Sequence, residues 1–333
     1  MREGIAIAGN LIVDYVKEID VYPSEGMLSN ISTVEMSVGG CAANTSIDLR
    51  IIDGSLPVEV LGMVGDDANG LYITDMLTRH GIDIRGVRVN SGTMTSFTDV
   101  MTVSDSKART FFHARGANAV FGFEDIDFDS IRSRFFHIGY ALLLDSFDAP
   151  DPEYGTVMAK TLAHAQQRGL VTSMDVVSES SDRFTAVVTP SLEYCDNLII
   201  NEVEASMICR APVRRGGALD KGALKEVCSK LMDAGVKQRV VIHAPEAACA
   251  LEKDGGFVYV PSLKLPAGYI KGTVGAGDAF CAGVLYSIYK DYSIEDALII
   301  GAGAAACSLA ELNAVDGMRD IEYIRGLIER YRA

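Results

Sequence analysis

No run of lysine or arginine occurs in the 333-residue chain, and 30 basic residues against 45 acidic ones leave a formal net charge of −15. Affinity for a nucleic-acid duplex comes mainly from neutralising phosphates, so a duplex-binding protein is excluded. A small anionic ligand is not, because backbone amides and one divalent cation can hold a phosphate inside an acidic protein. Nor does any apolar stretch reach the ~18 to 20 residues of a membrane span. The opening MREGIAIAGNLIVDYV turns acidic too early for a signal peptide and alternates like a first strand. The expectation is a soluble, cytoplasmic protein with no nucleic-acid or membrane partner.

Disulfide and metal signatures are missing as well. The seven cysteines (Cys41, Cys195, Cys209, Cys228, Cys249, Cys281, Cys307) form no CxxC pair, and no histidine stands at ligand spacing from them. They read as reduced, mostly buried small apolar residues. The sequons at Asn30 and Asn44 then carry no glycan. There is no internal repeat, low-complexity tract or Pro/Ser-rich linker. What the chain does have is 48% hydrophobic residues and 23% charged ones, ample for a folded core. At roughly 150 residues per domain its length suggests about two domains, or one large α/β unit with an embellishment.

Short apolar, β-branched runs alternate with longer helical patterns, which favours a parallel sheet covered by helices. Strands are expected at 5–8, 58–63, 135–138, 171–175, 197–200, 240–243 and 248–252, and helices at 68–79, 154–167 and 219–234, the last closed by Gly235. This is a doubly wound pattern. Residues 13–38 and 92–114 break it, with short period-2 stretches and no helix-length apolar face. They are expected to form a small separate sheet inserted into the core, a lid rather than a sequential second domain.

The stretch GTVGAGDAFCAG at 272–283 carries the most chemistry. Gly275, Ala276 and Gly277 precede a helical pattern, so their amides can converge on an anion with no side chain in the way. Asp278 falls in the first turn, where a carboxylate could take a proton from a hydroxyl while the amides stabilise a transferring phosphoryl group. The same residues could simply cap a helix. A dinucleotide fingerprint fails because Phe280 stands at the third glycine position, and no Walker loop GxxxxGK[ST] occurs.

Three further clusters lie at element ends. Asn201 and Glu204 follow a strand and could hold a hydrated Mg²⁺ near phosphates, although their spacing also fits a capping box. Gly39-Gly40 open a small-residue helix on which Asn44 offers a donor and an acceptor to a hydroxyl; a tight turn with close helix packing explains them equally. Asp14 and the stretch GDDANG at 65–70 add polar candidates. Arg115 could bind a carboxylate or phosphate bidentately, or lie on the surface. His113 fits lid packing better than base catalysis.

Taken together, GGCAAN at 39–44, GMVGDDANG at 62–70, NEVE at 201–204 and GTVGAGDAFCAG at 272–283 resemble the PfkB, or ribokinase-like, family of carbohydrate kinases. The resemblance implies a large α/β core from residues 1–12, 38–91 and 119–333 under a β-sheet lid from 13–37 and 92–118. It implies ATP and Mg²⁺ as cofactors and a homodimer through the lid. By carry-over Asp278 is the catalytic base, and the amides of Gly275, Ala276 and Gly277 are the anion hole. Asn201, Glu204 and Thr273 bind the cofactor, with Glu204 reaching Mg²⁺ through water. Asn10, Asp14, Gly39, Gly40 and Asn44 contact the sugar, joined by Arg115 if that residue faces the substrate.

Two departures stand out. Gly272 occupies a position that is usually Asp, which puts a monovalent-cation site near this loop in doubt. His243-Ala-Pro-Glu-Ala-Ala248 replaces a Gly-containing turn, so donor preference has to be measured. The expected activity is transfer of the γ-phosphoryl group of ATP to a monosaccharide hydroxyl. The alternatives are a nucleoside kinase, a sugar-acid kinase of 2-keto-3-deoxygluconate type, a catalytically silent ligand-binding protein and, last, a Rossmann oxidoreductase.

Overall fold

The computed structural model describes residues 2–106 and 108–332. Its strands run in chain order β1 (Ile5–Gly9), β2 (Ile12–Ile19), β3 (Ile31–Gly39), β4 (Val58–Gly65), β5 (Asp83–Asn90), β6 (Phe97–Val103), β7 (Arg109–Ala114) and β8 (Phe135–Ala141). A short ribbon, β9 (Pro150–Asp151) with β10 (Gly155–Thr156), leads to β11 (Val171–Val176) and β12 (Asn197–Asn201). A second ribbon, β13 (Arg214–Arg215) with β14 (Ala218–Leu219), precedes β15 (Arg239–His243), β16 (Ala247–Glu252) and β17 (Phe257–Pro261).

Nine strands form one sheet in the order β17-β16-β15-β12-β11-β8-β1-β4-β5. Every pairing from β15 to β5 is parallel, and β16 and β17 add an antiparallel edge. A parallel sheet needs helices on both faces, and the central β1 is accordingly buried along its whole length. Helices starting at Cys41, Ala276, Ile294 and Ile321 cover one face, and those starting at Val157, Phe184, Glu202 and Lys221 cover the other.

The four strands in 12–114 that leave this sheet form their own, in the order β3-β2-β6-β7. Its register sets Asp14 opposite both Ser37 and Thr98, and Thr98 opposite His113. These four polar residues therefore share one face.

Local chemistry explains where elements differ from the sequence expectation. The helix expected from 154 starts at Val157, because Thr156 caps it by accepting from Ala159 N (3.2 Å) and residues 155–156 are taken up by a ribbon. The helix expected from 219 starts at Lys221 behind an Asp220 cap (3.0 Å to Ala223 N). β5 and β17 were not among the expected strands. Both are sheet edges, and β5 carries the charges and glycine that blunt an edge and mask its alternation. Among the described residues no helix is long and apolar enough to cross a membrane.

Candidate active site

The helix Ala276–Tyr289 begins on Gly275, whose φ of 77° suits glycine, and no side chain caps it. A Cβ on Gly275 would lie 2.5 Å from Ala314 Cβ, so the turn also needs glycine to pack against the loop behind it. The first-turn amides of residues 275–277 are thus left without a side-chain partner.

Asp278 projects from this turn into a buried polar nest. Its Oδ2 accepts from Asn44 Nδ2 (2.8 Å) and its Oδ1 from Tyr140 Oη (2.5 Å). Burial pushes the carboxyl above its ordinary range, while these two hydrogen bonds favour the ionised form and pull it back. Asn44 arrives on the helix Cys41–Ile52, and its own Oδ1 is buried with no partner. A buried acceptor left open beside the carboxylate calls for a donor such as a ligand hydroxyl.

Asp14 completes this end of the site from β2. Burial raises its carboxyl to about 6, against a hydrogen bond with Thr98 and with help from the charge of Asp278. Gly39 passes so close that a Cβ there would meet Asp14 Oδ2 at 2.2 Å, and Gly40, at φ 85°, would likewise strike Asn10 O at 2.4 Å. The paired glycines let two backbones and a carboxylate converge. Asn10 is fully buried and engaged with backbone: its Oδ1 accepts from Tyr140 N (2.9 Å) and its Nδ2 donates to Leu143 O (3.3 Å). That clamp fixes the strand end carrying Tyr140.

On the next strands, Asn201 and Glu204 form a complete capping box. Asn201 Oδ1 accepts from Val203 N and Glu204 N (2.9 Å each), and Glu204 Oε2 accepts from Asn201 N (2.9 Å). Glu204 Oε1 further accepts from Asn201 Nδ2 (2.7 Å) and Ser178 Oγ (2.8 Å). Asp175, at the end of β11, lies close enough that its charge and those of Glu204 and Asp278 oppose one another, and burial holds Asp175 and Glu204 above their ordinary range. An all-oxygen pair of buried carboxylates of this kind suits a hydrated Mg²⁺.

The remaining candidates are spread around this centre. Thr273 is exposed, two residues before Gly275. Arg115 is held by Asp145 at 2.6 Å, and Asp67 caps its helix while accepting from Thr95 N (2.8 Å). His113 Nδ1 shares a hydrogen bond with Thr98 Oγ1 (3.0 Å), and its Nε2 is buried without a partner. At Gly272 a Cβ would come within 2.7 Å of Glu311 O, so this backbone has no room for an acidic side chain.

Tyr140, Asp175 and His243 were not assigned roles from the sequence. Tyr140 and Asp175 could have been flagged as polar residues at the carboxyl ends of central strands. His243 ends β15, and its ring stacks on Phe280 (centroids 4.7 Å apart) beside Gly277. A cleft of about 520 Å³ lies between the Asp14 face of the four-stranded sheet (Val16, Glu18, Ser37) and Lys271, Val274 and Asp316.

Comparison with known proteins bears on this geometry. The model of the pfkB family carbohydrate kinases matches residues 5–321. A 5-dehydro-2-deoxygluconokinase of Geobacillus kaustophilus is 27% identical over 312 residues, covering 89% of this chain and 85% of that protein. A ribokinase of Arabidopsis thaliana is 25% identical over 98% of this chain and 81% of its own length. Among solved structures, Arabidopsis thaliana ribokinase complexed with ribose and ATP superposes with a TM-score of 0.82 at 21% identity, covering 99% of both chains. A nucleoside kinase of Methanocaldococcus jannaschii superposes at 0.76 and 20% identity, over 99% of both chains.

Proposed function

The chain belongs to the pfkB family of carbohydrate kinases, and on that premise we propose that Asp278 is the general base in transfer of the γ-phosphoryl group of ATP to a sugar hydroxyl. The observation that carries this is the Asp278 carboxylate itself, buried at an uncapped helix N-terminus and aimed by Asn44 and Tyr140. A carboxylate in that place receives the proton of the attacking hydroxyl. The amides of Gly275, Ala276 and Gly277 face the charge that develops on the transferred group.

Asp14 and the open Asn44 Oδ1 hold sugar hydroxyls, with Gly39 and Gly40 giving them close approach. Asn10 positions Tyr140 rather than the sugar. Glu204, presented by Asn201 and with Asp175 beside it, is the place for Mg²⁺. That ion supplies neutralisation of phosphate charge when bound. Thr273 lies on the nucleotide side of the anion hole. The four-stranded sheet acts as a lid whose closure excludes water and so suppresses wasteful ATP hydrolysis.

The other face of that sheet exposes Ile31, Val34 and Phe112 by about half their surface or more. Such a patch fits a homodimer through the lid, which sedimentation velocity reads directly.

The test is ADP release with Mg·ATP over hexoses, pentoses, sugar acids and nucleosides, run on the native chain and on Asp278→Asn. The native chain should turn over a carbohydrate, and the variant should fold normally while losing ~10²- to 10⁴-fold in kcat, the range for a positioned general base. Near-native turnover in Asp278→Asn would sink the assignment.

A further inference from the structure

Just below Asp278 the fold assembles a cluster in which Asp175 borders the place proposed for Mg²⁺, while His137 and Cys281 have no part in phosphoryl transfer. His137 on β8, Asp175 on β11 and Cys281 on the helix Ala276–Tyr289 each present a ligating atom, and these atoms all lie within 4.8 Å of one another. Cys281 Sγ is 3.8 Å from His137 Nε2. Bond lengths for zinc to sulfur, nitrogen and oxygen place tetrahedral ligand atoms about 3.3 to 3.7 Å apart, so a small contraction would close the cluster on an ion.

The surroundings prepare these groups. His137 sits opposite Ser173 in the sheet, and its Nδ1 shares a hydrogen bond with Ser173 Oγ (2.9 Å). When Nδ1 donates, Nε2 presents its lone pair to the cluster, as in sites where a second partner fixes a ligating imidazole. Ser173 and Asp175 are two apart on β11 and so share its face. Burial holds the His137 ring neutral, with a pKa lowered to about 3.

We propose that His137, Asp175 and Cys281 form a binding site for a zinc-like divalent transition cation. The mixed nitrogen, sulfur and oxygen ligands select such an ion over Mg²⁺ or Ca²⁺, which take oxygen ligands. Charge balance supports it, because a divalent cation with one thiolate and one carboxylate is neutral, which suits an interior where His137 is 0% and Cys281 1% exposed. Binding displaces the Cys281 thiol proton, and any proton on Asp175, to solvent, with no change of oxidation state. Asp175, at 8% exposure and at the mouth of the sheet, is the entry point. Cys281 lies one helical turn beyond Asp278, so the ion would sit behind the base rather than among the substrate phosphates.

The experiment is prolonged equilibrium dialysis of the chelator-treated, reduced full chain against Co²⁺, read by absorbance. The expected result is one bound equivalent with a thiolate-to-cobalt charge-transfer band that Zn²⁺ abolishes by displacement. Cys281→Ala and His137→Gln should lose the band, and Cys195→Ala, a buried thiol outside the cluster, should keep it. Ser173→Ala should bind about 10- to 100-fold more weakly, as loss of a ligand-orienting partner does. Circular dichroism confirms folding of each variant. Absence of the band in the native chain, or its survival in folded Cys281→Ala, overturns the proposal, and the native spectrum decides even if a variant does not fold.

Discussion

The helix Ala276–Tyr289 starts on a glycine with no side chain capping it, whereas the helix Glu202–Cys209 starts on Asn201, whose Oδ1 takes the amides of Val203 and Glu204. Both helices begin at the same end of the central sheet, yet one leaves its amides open and the other consumes them. The first thereby keeps its N–H groups and the positive end of its dipole free for the anion proposed above. The second has lost that capacity and offers a carboxylate, Glu204, locked in one orientation by Asn201 and Ser178. An anion seat beside a fixed acid that can hold a cation is the polarity a nucleotide–metal complex needs.

Ala276→Pro breaks the first terminus most directly, since proline is tolerated at the first helical position but removes one amide donor. The expected loss is ~10²- to 10³-fold in kcat, as for other single anion-hole donors, with a lowered thermal midpoint because a residue before proline is pushed away from the left-handed angles Gly275 holds. Steady-state kinetics beside a melting curve checks both, and an unimpaired kcat would mean that this amide faces no developing charge.

Tyr140→Phe tests the electrostatics of the same terminus. Asp278 works ionised, burial raises its proton affinity, and the Tyr140 hydrogen bond opposes that rise. Deleting the bond should therefore raise the pKa further, moving the acid limb of kcat/KM up by about one pH unit, given the ~1.5 kcal/mol or more of a hydrogen bond to a charged group. A limb that stays put or moves down contradicts the assignment of Asp278 as the titrating base.

The smallest effect is expected at the second terminus. Asn201→Ala removes a cap, so stability should fall by about 1 kcal/mol, read as a lower urea midpoint at unchanged slope. Its effect on kcat should be smaller than that of Ala276→Pro, because Ser178 still holds Glu204. A larger kinetic loss at Asn201 would reverse the ranking of the two ends.

Much of this is legible in the amino-acid sequence alone. The small-residue run before Asp278 announces an uncapped helix start, and the alternation of apolar runs gave most of the central strands. Asn201 and Glu204 left two readings open, and the fold realises the cap while aligning the same Glu204 beside Asp175. Boundaries at 154 and 219 moved because Thr156 and Asp220 cap later than the apolar pattern begins.

Local sequence decided what short-range physics controls: the glycines that permit Gly40 and Gly275 their backbone angles, the caps and the buried strand runs. Spacing along the chain shows no histidine at ligand spacing from a cysteine. Sheet order decided otherwise. Placing β8 between β1 and β11 brings residues 137, 175 and 281 together, just as it brings Tyr140 and Asn44 onto Asp278 across more than a hundred residues each. Such meetings depend on which strands pair and which helices cover them, a property of the whole core that no local window contains.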